Sequence, residues 1–520
     1  MTRKSAGFIL ALAVFIFFLV SPTFGTFYNV AGRLVSEQHA MIDVGELARS
    51  MQMVCALSLL MIVLWLTEAV PLAATALLPA VVLPLFHISG IHRGAITQFT
   101  FGATVANYAN PVIYLFLGGF LIAAAMQKWK LDQRLTLWLL TRGNLAADSR
   151  RILLGIMGVT AFLSMWISNT ATAAMMLPLG LGILSSVGCK PGTSKFGTAL
   201  MLGIAWSASI GGMGTIIGTP PNGIALGILN STFAGDPSYQ RITFLEWLGI
   251  GIPYVVLFIP VSWFVLLKVF PPELVTDPGT KARLMEQYSA LGPMSRGEKG
   301  TIVVFLLASF LWIVTPFREH LLPSSVSDHL EWLDEYAIGL LAGTLLFFIP
   351  VGFRRGRFLL DWADTKFVDW GTLILFGGGI ALSDAMFKSG LATWIAHTFI
   401  GLLGTPSTIA MLFVIVILVA MLTEVTSNTA VTTMMVPIMI SIARTTGENP
   451  VTLAVATALA ASMAFMLPVA TPPNALVYST GYVELKDMVR GGLILDLLGW
   501  LFTVGILVVF GVWLFGVVGL

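Results

Sequence analysis

Cysteine is almost missing from this chain. Of 520 residues only two are cysteine, Cys55 and Cys189, both in small or apolar surroundings. That excludes a disulfide framework and a Cys-rich metal site. Charge is also scarce, at 10%, where a soluble domain carries about a quarter. The six histidines are scattered and form no HExxH. The net charge of +2 gives no reason to expect nucleic acid, and the basic residues read as loop anchors. There is no Cys/His cluster, no pair of catalytic carboxylates and no nucleophile beside a base. A membrane-embedded enzyme would need such a convergent set, so the chain reads as a non-enzyme. Ten-residue segments of alternating polarity, the mark of a membrane barrel, are absent too.

What fills the chain instead is apolar. Hydrophobic residues make up 57%, in runs near the roughly 20 residues a helix needs to cross a bilayer. Examples are "ILALAVFIFFLV" from Ile9, "FLLASFLWIVTPF" from Phe305 and "LFVIVILVAML" from Leu412. The class expected is an all-α polytopic membrane protein. The first 25 residues combine a basic start, an apolar stretch and small residues, as a signal peptide does. We read them as a first transmembrane helix, with Arg3 and Lys4 kept in the cytoplasm. The lipid bilayer, and for a bacterial chain the cell membrane, is the setting this composition predicts.

The main break runs from Pro271 to Gly300, where the text turns polar, charged and proline-bearing. It divides the chain into an N-terminal half, 1–270, a polar connection, 271–300, and a C-terminal half, 301–520. Further polar patches begin at Arg318 and at Arg354. The second is basic and belongs in the cytoplasm by the positive-inside tendency.

The halves repeat one another. "LFLGGFLIAAAMQKWKL" from Leu115 matches "LFGGGIALSDAMFKSGL" from Leu375, pairing Phe116 with Phe376, Gly118 with Gly378 and Lys128 with Lys388. "SMWISNTATAAMMLP" from Ser164 matches "TEVTSNTAVTTMMVP" from Thr423. "GTPPN" from Gly218 matches "ATPPN" from Ala470. Three motifs in one order at nearly constant spacing indicate an internal duplication. Inverted repeats of this kind are common in secondary transporters, with the site at the midplane where they meet, and that is the working expectation.

Each motif carries a physical argument. In Ser168-Asn169-Thr170, serine and asparagine compete with the helix for backbone bonds and favour N-caps. The apolar flanks on both sides are helix-compatible, so one helix ends here and another begins. At membrane depth such a break is tolerated only when buried in protein or lining a cavity. It presents carbonyl oxygens to a hard cation such as Na⁺, and amide N–H groups at a positive helix end to a carboxylate. Ser427-Asn428-Thr429 repeats this environment. Two such breaks match the two charged ends of a dicarboxylate without a buried arginine.

The TPPN segments, 219–222 and 471–474, are a second pair of breaks. Pro220-Pro221 and Pro472-Pro473 remove amide donors and disfavour helix before them. Carbonyls freed there, with Asn222 and Asn474 nearby, complete cation sites. A lone SNT would read as a helix–helix hydrogen bond, and a lone Pro-Pro as a kink. The duplication in matched order turns both towards binding. The Met pairs, Met175-Met176 and Met434-Met435, read as packing. Glu68 and Glu424 lie beside apolar runs. Intramembrane carboxylates are functional candidates by default, and a helix-cap or scaffold contact is the plainer alternative for each. Asp384 has no acidic counterpart at Ala124 and so reads as inessential.

With these motifs the chain resembles the divalent anion/sodium symporter family over nearly its whole length, especially bacterial sodium–dicarboxylate symporters. The resemblance implies about eleven transmembrane helices plus two re-entrant hairpins, near 109–128 and 370–388. It also implies inverted repeats, scaffold and transport domains, a homodimer and an elevator motion. Substrate contacts would fall to Ser168, Asn169, Thr170, Ser427, Asn428, Thr429, Thr471 and Pro472. One Na⁺ would be held by Ser164, Ser168, Asn169 and Gly218. A second would be held by Thr423, Thr426, Asn428 and Ala470, with a backbone carbonyl at Thr426. "SNTATAAMM" follows the symporter form, which implies sodium-coupled uptake of succinate, malate or fumarate with no organic cofactor. Citrate or another anion, carried on the same architecture, or dicarboxylate exchange is the alternative.

Overall fold

The computed structural model describes residues 2–142, 148–236, 239, 241–273, 278–352, 356–404 and 407–511. Within them the chain is nearly all helix, as a lipid environment requires of a backbone that must satisfy its own polar groups. The strands are two short antiparallel hairpins, Ser89–His92 with Ala95–Gln98 and Pro350–Gly352 with Arg357–Phe358. Eight helices among the described residues are long and apolar enough to span a membrane. Arg3–Val20, packed along Val44–Thr67, is the first of them. Large side chains such as Val256, Phe264, Val303, Leu306 and Phe310 lie exposed on these helices. In water such a surface would be costly; against lipid it is the proper solvent face. The protein is an all-α polytopic membrane protein.

Of the helices that bear the binding motifs, only one is among those eight. They come in pieces. Ser149–Ser164 gives way to Asn169–Ser186, and Lys195–Gly212 to Pro220–Thr232. In the second half Thr408–Val425, itself one of the eight, gives way to Asn428–Thr446, and Pro450–Ala461 to Pro472–Tyr478. The other pieces are too short or too polar to count as spans by length and composition.

Where hairpins are expected, near 109–128 and 370–388, Pro111–Lys128 and Trp370–Ser389 are each one continuous helix. Each is followed across a left-handed residue, Lys130 or Gly390, by a second helix, Leu131–Thr141 or Leu391–Leu403. The glycines of the first helix in each pair serve close approach. A methyl on Gly118 would fall 2.0 Å from the Gly339 carbonyl oxygen, and one on Gly378 2.0 Å from that of Ala76. Each glycine lets a neighbouring backbone lie directly against its helix.

The polar connection holds a helix, Pro278–Ala290, which packs on Leu131–Thr141. From the latter, Arg134 pairs with Glu298 and donates to the carbonyls of Gly292 (2.9 Å) and Leu291 (3.2 Å). Residues 274–277 of this connection, and Arg354 and Arg355 of the basic patch, lie outside the described residues.

The two halves interlock. Pro220–Thr232 of the first packs on Asn428–Thr446 of the second. Reciprocally, Pro472–Tyr478 packs on Asn169–Ser186 and Lys195–Gly212. Phe116 and Phe376, matched by the duplication, meet edge to face at 4.7 Å between ring centroids. Equivalent residues in mutual contact are what an approximate two-fold axis between repeats produces.

Candidate functional site

At the first triplet the helix stops at Ser164 and a new one starts at Asn169. Ser168 is the N-cap, its Oγ accepting from the Ala171 amide at 3.3 Å. At the second triplet the helix stops at Val425 and resumes at Asn428. Ser427 is the N-cap here, and its side chain makes no capping bond. Both restarts leave opening amides without intrahelical partners. Ser168, Asn169, Ser427, Asn428 and Thr429 are half-buried and Thr170 is exposed, so the triplets sit at an accessible edge of the core.

Behind each triplet three oxygens crowd together. Ser164 Oγ lies 2.8 Å from Asn169 Oδ1 and 2.7 Å from the Ala208 carbonyl oxygen. Thr423 Oγ1 lies 2.6 Å from Asn428 Oδ1 and 2.8 Å from the Ala461 carbonyl oxygen. A hydroxyl has one proton to give, and both neighbours in each case are acceptors. Each cluster is thus richer in lone pairs than in protons, which is the donor set a hard cation takes. Beside the second cluster the Thr426 hydroxyl is buried with no hydrogen-bond partner among the described residues. The chemistry of the residues present therefore fits sodium as a bound substrate.

The first TPPN break closes on the first cluster. A methyl on Gly212 would fall 2.3 Å from Asn169 Oδ1, and a methyl on Gly218 2.5 Å from the Gly212 carbonyl oxygen. Ser164, Asn169 and Gly218 are thereby brought to one place. Thr215 stitches the two breaks, donating from Oγ1 to the Met165 carbonyl (2.5 Å) and accepting from the Gly218 amide (3.0 Å).

The asparagines of TPPN hold the breaks open in parallel fashion. Asn222 Nδ2 donates to the carbonyls of Gly212 (3.2 Å) and Thr215 (2.7 Å). Asn474 Nδ2 donates to those of Ala464 and Leu467, both at 3.0 Å. The same intervals recur, ten and seven residues back. Each asparagine keeps its Oδ1 buried and, among the described residues, unpartnered. Thr471 is buried and caps Asn474 through Oγ1 (3.4 Å), and Ala470 is buried beside it, whereas Pro472 is exposed. The first break is buried throughout 213–219, so the second is the more open of the two.

Glu424 takes the plainer of its two readings, in an unusual form. Its Oε1 accepts from the amides of Phe465 (2.7 Å) and Met466 (2.9 Å), and its Oε2 from Leu467 (3.1 Å). It is a clamp on the second break. Asp496, buried on Leu485–Ile506 and beside Glu424, was not picked out from sequence. Glu68 is an exposed C-terminal cap in left-handed conformation at the end of Val44–Thr67. Asp384 pairs with Lys388 at 2.8 Å. Met176 and Met435 are buried in packing. The residues that sequence reading missed at the clusters are Ala208, Ala461 and Gly212. The first two act through carbonyls that every residue has, so no side chain announces them.

Paired interrupted helices, each backed by a proton-poor oxygen cluster and crossed over the other repeat, define the class as secondary transporters built on discontinuous helices. The model for the sodium:sulfate symporter transmembrane region matches residues 43–517. The chain is 40% identical over 457 residues to the sodium-dependent dicarboxylate transporter SdcS of Staphylococcus saprophyticus, covering 86% of this chain and 83% of that protein. It is 38% identical over 456 residues to the protein of the same name from Staphylococcus aureus strain USA300, with the same coverage. Among solved structures, the Alcanivorax borkumensis YdaH transporter superposes with a TM-score of 0.55 at 15% identity, over 88% of this chain and 98% of that one. Neisseria gonorrhoeae MtrF gives 0.56 at 14%, over 88% and 95%. At such identities the likeness concerns the fold alone. This protein belongs to the sodium:sulfate symporter family.

Proposed function

We propose that this protein is a sodium-coupled symporter of C4-dicarboxylates in the cell membrane. The observation that carries the reading is the twofold cluster, Ser164–Asn169–Ala208 and Thr423–Asn428–Ala461, each set behind a helix start. Sodium enters each cluster, with Gly218 completing the first and Thr426 and Ala470 the second. The substrate's carboxylates bind the opening amides and side chains of 168–170 and 427–429, with Thr471 and Pro472 closing the pocket. The names of the staphylococcal relatives support both substrates.

The mechanism follows from charge. Sodium orders the two breaks and raises affinity for the dianion, and the dianion raises sodium affinity by the same factor. The loaded site is neutralised and crosses the apolar barrier. In this reading the motif-bearing core is the moving domain of an elevator, the two repeats are inverted, and the protein works as a homodimer. Radiolabelled succinate uptake into proteoliposomes, with and without an inward sodium gradient, tests it. Sodium-stimulated uptake is expected. Absence of sodium-stimulated uptake for every C4-dicarboxylate, with sulfate or citrate carried instead, would transfer the site to another anion.

A further inference from the structure

A polar cavity of about 430 Å³ lies away from the triplets. It is a cup where three helices end. Arg444 comes from the end of Asn428–Thr446, Lys388 from the end of Trp370–Ser389, and Phe233 caps Pro220–Thr232. Arg444 is roughly 24 Å along its helix from Asn428, at a rise of about 1.5 Å per residue. The fourth wall is the hairpin Ser89–His92 and Ala95–Gln98. Its two-residue turn is Arg93-Gly94, both with positive φ (51° and 79°), as a tight right-twisted hairpin demands. That turn drives Arg93 onto the Ala234 carbonyl (2.7 Å).

The cup is short of negative charge. Arg93 spends one N–H on Ala234, and Arg444 rests 5.7 Å from the Phe233 ring with no carboxylate partner among the described residues. Lys388 is offset by Asp384, and Asp236 is the other acid on the wall. Among the described lining residues three cations thus face two anions. Ser383 adds a sharper sign: it lines the cup, is 2% exposed, and its hydroxyl has no partner among the described residues. A helical serine with nothing else to bond usually turns to the carbonyl one turn back; this one does not. Ser231 accepts from Asn110 Nδ2 (2.8 Å) and so keeps its own proton to donate into the cup. His92, on the wall and outside the spans, responds to the same field. Burial first, then the charges of Lys388 and Arg93, hold its pKa below the ordinary histidine range.

We propose that this cup is a phosphate-binding site, in which Arg93, Arg444 and the Ser383 hydroxyl hold the phosphate of an anionic phospholipid headgroup or a free phosphate. Arginine's planar fork suits phosphate oxygens. One of the three helices, Trp370–Ser389, is long and apolar enough to span, and a basic pocket at the end of such a helix suits a lipid headgroup, while Ile91, Ile380 and Phe387 supply apolar wall for the remainder of a lipid.

The test uses the purified full-length protein in detergent. The thermal unfolding midpoint is followed against short-chain phosphatidylglycerol, short-chain phosphatidylcholine and inorganic phosphate, since a ligand of the native state raises it. Phosphatidylglycerol should raise the midpoint and phosphatidylcholine should not. The double variant Arg93→Gln/Arg444→Gln should raise the half-saturating concentration at least about tenfold, and Ser383→Ala about threefold. Succinate binding should be unchanged in both. A response to phosphate as well assigns the headgroup alone; a response to the lipid only assigns the phospholipid. Equal effect of phosphatidylcholine, or half-saturation unmoved in Ser383→Ala and in any arginine variant that folds, overturns the site.

Discussion

Asn169 and Asn428 each spend a carbonyl oxygen on a hydroxyl that is itself shared with a main-chain carbonyl. Alanine at either position removes a cluster oxygen and, in the proposed site, a substrate-binding amide together. Each variant should abolish sodium-driven succinate uptake while eluting as folded protein on size exclusion. Ser164→Ala and Thr423→Val are milder, taking away one hydroxyl without touching the triplet. They should raise the half-saturating sodium concentration about tenfold, read from uptake against sodium at saturating succinate. A methyl at Gly212 has no room beside Asn169 Oδ1, so Gly212→Ala should behave like Asn169→Ala. The asparagines were legible from sequence because their side chains are rare in apolar text. Gly212 was not, since glycine is common there and its partner lies far along the chain.

At the scale of elements, two carboxylates hold backbone ends that no helix can satisfy. Glu424 accepts three amides of the second break. Glutamine there offers one acceptor oxygen and a donor where an acceptor stood. Glu424→Gln should cost about 1–3 kcal/mol, seen as a lowered unfolding midpoint that added sodium partly restores. Glu273, outside the spans, accepts the Lys195 and Phe196 amides (both 2.9 Å) and the Ser194 hydroxyl (3.3 Å) at the start of Lys195–Gly212. Its burial pushes the carboxyl's pKa up, but these bonds outweigh burial and hold it below the usual glutamate range. Its contribution is therefore present above the ordinary glutamate pKa and fades as pH falls through the depressed one. Glu273→Ala should lose about 1 kcal/mol at neutral pH, as a lost helix cap does. The difference from the parent should shrink in acid, measured by unfolding at both pH values. The breaks themselves were readable, because Ser-Asn and Pro-Pro disfavour continued helix on local grounds. The Gly-Gly runs are open to two readings, because glycine marks a turn and a close helix contact with the same letter. Here Gly118 and Gly378 are of the second kind.

For the whole molecule, the joint between repeats is the feature to probe. Phe116 and Phe376 bury their rings against one another. Phe116→Ala and Phe376→Ala should each cost about 3–5 kcal/mol. The double variant should lose less than the sum, because the second truncation enters a contact already gone; unfolding midpoints of the three variants decide. Transport itself should follow the substrate's charge. If the dianion is carried, succinate uptake declines as pH drops through its second ionisation.

Composition and the order of motifs were enough to establish a helical membrane protein, its duplication and the four places where helices stop. These follow from local physics: apolar length, capping preference and the missing amide of proline. Which carbonyls reach Asn169 and Asn428, how each repeat's TPPN helix crosses to the other repeat, and the cup at the helix ends came from folding alone. Main-chain oxygens are the same in every residue, and distant segments meet only through packing, so neither leaves a mark in the text of the chain.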